Sequence, residues 1–161
     1  MTFAADTCQK IDEKKLDTKK INFTDEAHFH LDGYVNRQNY RIYGTEMPEI
    51  RTKPLYPERV TVWAGMNSKG IIGPQFIDGK KTIYGKVYNE ILKQAIPEAH
   101  SKGFVDGYIR QQDGAPAHRT KANLDLIHES FDDRVIAKGC PARFKKGTDW
   151  PPYSPDLNLM D

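Results

Sequence analysis

Apolar and polar residues alternate in several short runs along this 161-residue chain. In "KINFTD" (20–25), Ile21, Phe23 and Asp25 fall on one face of a strand by its period of two. "RVTVWAGM" and "GIIGPQFI" are β-branched and aromatic, and the short link "NSK" between them makes a hairpin, with Trp63 in its core. From Tyr84 the period lengthens. Tyr84, Val87, Tyr88, Ile91, Leu92 and Ala95 recur at three and four, which predicts an amphipathic helix ending near Pro97. "GYIRQQD" (107–113) reads as a strand again, the next helix carries Leu124, Ile127 and Phe131 on one stripe, and "RVIA" (134–137) is a last short strand.

The stretches between are less regular. Residues 1–19 are polar and charged, a short helix or a frayed lead-in. "GYVNRQNYRIYG" (33–44) alternates as a hairpin or an irregular excursion would, and "TEMPEIRTKPLYPER" (45–59) is a loop with three prolines. "KGCPARFKKGTDWPPYSP" (138–155) is loop, after which Ser154 or Asp156 caps a helix that barely begins. Five strands result, antiparallel ones first and β-α-β crossovers after, so an α/β fold with a mixed sheet flanked by helices is expected.

Composition narrows the class. With 24 basic and 22 acidic residues the net charge is +2, too balanced to mark a nucleic-acid binder by itself. A DNA surface would have to come from local runs such as "KKLDTKK" (14–20) or "KGCPARFKKG" (138–147), and such runs are more often plain solvated surface. Cys8 and Cys140 stand far apart, which argues against a disulfide scaffold or a structural zinc site. No stretch approaches a signal peptide or a membrane span, so a soluble intracellular protein is expected.

The chemistry-bearing feature is "QQDGAPAH" (111–118), where Asp113 stands at the mouth of a strand before Gly114, Ala115 and Pro116. Sheets of this kind gather chemistry at strand ends. Asp25 ends the first strand, and if the two strands are neighbours the carboxylates converge. Two readings stay open on the residues alone: turn acids, which are common, or oxygen ligands for a hard divalent cation that relieves their repulsion. In the second reading, the small residues after Asp113 let a substrate backbone come close.

Four separated blocks, "FTDEAHFHLDGYVNRQNYRIYG", "VTVWAGMNSKGIIGPQFIDG", "QQDGAPAH" and "WPPYSPDLNLMD", together resemble the catalytic domain of mariner-like transposases of the DDE/D superfamily, over residues 20–161. The resemblance implies a ribonuclease-H-like fold. It also implies a catalytic, metal-binding triad of acids that uses two Mg²⁺ or Mn²⁺ ions to cut double-stranded DNA at transposon ends and join it to a target, in the nucleus and with a homodimer as a candidate assembly. Carried over by position, the acids are Asp25, Asp113 and, five places after the aspartate of "SPDL", Asp161. Asp156 is then a helix cap, or the alternative third acid. His118, Arg143, Lys145 and Lys146 are candidate DNA contacts, with packing at a helix start the competing role for His118.

The chain also departs from the family pattern. Leu159 stands where members usually carry a proline, and 47 residues separate Asp113 from Asp161, a wide spacing. Residues 1–19 are expected to be the remnant of a linker, with 20–161 a catalytic domain truncated at its final helix. The rival reading is a non-catalytic remnant that binds nucleic acid or protein.

Overall fold

The computed structural model describes residues 3–31, 58–78, 81–140, 144–152, 154 and 157–160. Its sheet is built from β1 (Ile21–His30), β2 (Arg59–Asn67), β3 (Gly70–Asp78), β4 (Ile109–Gln111), β5 (Val135–Ala137) and β6 (Thr148–Asp149), in the spatial order β3-β2-β1-β4-β5-β6. The β1, β2 and β3 strands pair antiparallel, whereas β1, β4, β5 and β6 pair parallel. Three α-helices accompany them among the described residues: α1 (Phe3–Asp12), α2 (Gly85–Ser101) and α3 (Lys121–Phe131). The mixed sheet with flanking helices is therefore as expected, with one strand more than the sequence indicates. β6 was missed because two residues are too few to show a period.

Each face of the sheet has its own core. Trp63, Ile72, Tyr88, Leu92, Ile127, Phe131 and Phe144 pack on the face covered by α2 and α3. Leu16, Ile21, Ile136 and Trp150 form a smaller core on the other face, joined by Phe3, Phe23 and Ile109. The alternation of Ile21 and Phe23 is thus real, and it sets the side to which Asp25 belongs. Of the two readings of residues 1–19, the short helix is the one found, and Phe3 of α1 meets Trp150 edge-on with centroids 6.1 Å apart.

Two boundaries differ from the sequence reading. α2 runs through Pro97 to Ser101. Proline removes one donor, that to the carbonyl of residue 93, but Lys93 and Pro97 both lie on the exposed side, where water can serve that carbonyl. Buried Ala95, Ile96 and Ala99 hold the last turns to the core, and Gly103, with φ of +70°, ends the helix. β1 continues to His30, so Asp25 is not the end of its strand. It lies instead just past the point where the short β4 stops pairing with β1. The 33–44 reading and nearly all of the 45–59 loop fall outside the described residues.

Candidate metal-binding site

β1 and β4 run parallel with Ile21 opposite Ile109 and Asn22 opposite Arg110. Asp25 lies three residues beyond this pairing on β1, and Asp113 lies two residues past the end of β4, in the loop that follows it. The strands are locked just before the acids. Thr24 Oγ1 donates to the Gln111 carbonyl at 2.8 Å, and the Thr24 N–H donates to Gln111 Oε1 at 3.3 Å.

Each carboxylate is held by neighbours. Asp25 Oδ1 accepts from the Glu26 N–H at 2.7 Å, and its Oδ2 accepts from Asn158 Nδ2 at 2.8 Å. Asn158 is buried, and its own Oδ1 accepts from the Met160 N–H at 3.2 Å. Asp113 Oδ1 accepts from the Ala115 N–H at 2.9 Å and lies 2.6 Å from His118 Nδ1. The other ring nitrogen of His118 is 3.2 Å from Glu26 Oε1. One imidazole therefore bridges the β1 strand and the loop after β4.

Burial alone would discharge His118, whose side chain is only 3% exposed. Tyr88, Asp113 and Glu26 outweigh that penalty and push its pKa up to about 11. Burial likewise works against the Asp113 carboxylate, yet His118 and the Ala115 N–H hold its pKa below the ordinary value. Beneath His118, the Tyr88 ring stacks with centroids 4.1 Å apart. Tyr88 donates to Gln112 Oε1 at 3.0 Å and accepts from buried Arg110 at 3.1 Å.

The donors fit a hard cation. Asp25 and Asp113 offer carboxylate oxygens, and the Asp113 side chain is 43% exposed. Two acids are not a full ligand set, and among the described residues no three His, Cys, Asp or Glu side chains are grouped to hold a metal. Asp156, Asp161 and Arg143 lie outside the described residues. Lys145 and Lys146 are exposed in the loop between β5 and β6. His118 is buried against two carboxylates, those of Glu26 and Asp113.

Sequence reasoning missed Glu26 and Asn158, although each adjoins a residue it singled out. It also read Gly114 as room for substrate. A methyl group there would meet Lys138 Cδ at 2.8 Å and Lys138 Cβ at 3.3 Å, so the space is already filled by a side chain of this protein.

No protein-family model and no curated protein sequence matches the chain. Among solved structures, the chain is similar to the Mos1 transposase paired-end complex with left transposon end, at 17% identity and a TM-score of 0.65, covering 95% of this chain and 42% of that one. It is also similar to the catalytic domain of Mos1 mariner transposase, at 16% identity and a TM-score of 0.60, covering 95% of this chain and 60% of that one. The Mos1 transposase catalytic domain with raltegravir and Mg gives 16% identity and a TM-score of 0.60, over 97% of this chain and 64% of that one. The chain thus has the ribonuclease-H-like fold of that catalytic domain, and it spans about two fifths of the length of the transposase in the paired-end complex.

Proposed function

We propose that this chain is the catalytic domain of a mariner-type transposase, built for metal-dependent cleavage of DNA phosphodiesters and strand transfer. The observation that supports this reading is that β1 and β4 pair in parallel just before Asp25 and Asp113, with His118 bridging Asp113 to Glu26, the neighbour of Asp25, within a fold shared with a transposase catalytic domain.

Asp25 and Asp113 would hold divalent ions, Mg²⁺ or Mn²⁺, with Asp161 as the third ligand and Asp156 as the alternative. Bound in a pair, such ions activate a water or a 3′-hydroxyl and stabilise the leaving oxygen of an in-line displacement. The rest is the work of this chain's own side chains. His118 occupies Asp113 Oδ1 and leaves Oδ2 as the oxygen to face a ligand. Asn158 ties Asp25 to the backbone N–H of Met160, the residue that precedes Asp161 in the sequence. DNA is the proposed substrate, as the transposon end is in the Mos1 complex.

Thermal unfolding with and without millimolar Mn²⁺ tests the reading on the wild type and on Asp25→Ala, Asp113→Ala and Asp161→Ala. An ion that binds only the folded state raises the midpoint. The wild type is expected to shift, Asp25→Ala and Asp113→Ala to lose the shift, and Asp161→Ala to weaken it. A wild type that unfolds cooperatively with no shift would leave the non-catalytic remnant as the better account.

A further inference from the structure

β4 and β5 pair with Arg110 opposite Val135 and Gln111 opposite Ile136, and Asp113 and Lys138 come just after the ends of these two strands. Asp113 and Lys138 thus follow the carboxyl ends of two adjacent parallel strands, and Asp25 lies on the third strand, β1, which pairs with β4.

Lys138 is also seated. Its methylenes lie over Gly114, where any Cβ would collide with them. The residue is exposed, and among the described residues no carboxylate lies within ion-pairing distance of it. The stem of this long side chain thus passes over the residue that directly follows Asp113. Its role differs from that of Lys145 and Lys146, which stand on the loop between β5 and β6.

We propose that Lys138 is a substrate contact, donating to a non-bridging oxygen of the DNA phosphate backbone beside the metal-binding acids. Gly114 is glycine so that Lys138 can lie there. The proposal rests on the reading of the acids given above. A compact ammonium suits this task, because it meets a phosphate as a point charge with three donors and needs no fixed approach direction.

The test is binding of a short DNA duplex to the full chain, followed by fluorescence anisotropy over a salt series with Ca²⁺ present in place of a catalytic ion. Midpoint shifts with Mn²⁺ are measured on the same samples. Lys138→Ala is expected to keep its unfolding midpoint and its Mn²⁺ shift, to bind DNA about 3- to 10-fold more weakly, and to lower the salt slope by about 0.9, the share of one phosphate. Lys138→Arg should restore most of the affinity. Gly114→Ala should weaken binding in the wild type but add little in the Lys138→Ala background, because its effect runs through the displaced lysine. If Lys138→Ala binds DNA with unchanged affinity and slope while the Mn²⁺ shift persists, the proposal is wrong and the reading of the acids stands. If the wild type shows no Mn²⁺ shift, that reading fails and the proposal falls with it.

Discussion

With Nδ1 against Asp113 and Nε2 against Glu26, His118 keeps a positive charge inside the protein. Its pKa stands at about 11, above the ordinary 6.5. A raised folded-state pKa contributes stability in full below the unfolded value and loses it as pH climbs through the folded one. Metal-free protein is therefore expected to lose stability steadily from about pH 6.5 towards 11, and His118→Gln should flatten that decline in urea titrations run at several pH values. At pH 7 the same substitution should cost about 2 kcal/mol, the scale of a hydrogen bond to a charged group. Asp113 has the opposite sign. Its depressed pKa gives stability that is present above 3.8 and lost as pH falls. Cysteine chemistry is decided by burial as well: Cys8 is exposed, while burial pushes the Cys140 thiol up to about 11. A thiol reagent at pH 8 is expected to label one cysteine quickly and the second only on unfolding, which mass spectrometry of the labelled protein would show.

Among the elements, α2 is the one whose local signal and tertiary role conflict. Pro97 sits in its interior, where proline is about 3 kcal/mol less favourable than alanine. The helix survives because Tyr88, Ile91, Leu92, Ala95, Ile96 and Ala99 are buried along one stripe on both sides of the proline. Pro97→Ala restores a donor to the Lys93 carbonyl but loosens the unfolded chain, which takes back up to about 1 kcal/mol. A net gain of about 1 kcal/mol is expected in the urea midpoint, with no change in slope. The β2–β3 hairpin shows the opposite case, in which local pattern and tertiary placement agree. Asn67 Oδ1 accepts from the N–H groups of Lys69 and Gly70 at 2.7 and 3.1 Å and closes the turn where the "NSK" link stands. Trp63, on the strand before it, is fully buried as expected.

At the scale of the whole molecule, the two faces of the sheet differ in what covers them. α2 and α3 press a large core onto one face, while α1 covers part of the other without a fully buried residue of its own. Its hold is Phe3 on Trp150 and a hydrogen bond from Lys10 Nζ to Thr148 Oγ1 at 3.2 Å. Hydrogen exchange should separate the two. Amides of α2 are expected to exchange only through global unfolding, and those of α1 through a much smaller opening.

The strands, the hairpin and both long helices were legible in the sequence, because side-chain periodicity is a local consequence of backbone geometry. Asp25 and Asp113 could be singled out there as well, from the positions of two acids at strand-like runs and from a resemblance spread over four blocks. The sequence could not show β6, whose two residues gain their order only from pairing with β5. Nor could it show that the helix outlasts Pro97, since the burial that holds it comes from other parts of the chain. The partners of the acids were hidden for the same reason. Glu26 and His118 are 92 residues apart, and Asn158 and Asp25 are 133 apart, so only the folded sheet brings them within hydrogen-bond reach. Gly114 makes the distinction clearest. As a letter it signals open space, but in the tertiary structure that space belongs to Lys138, because parallel strands in register set distant residues side by side.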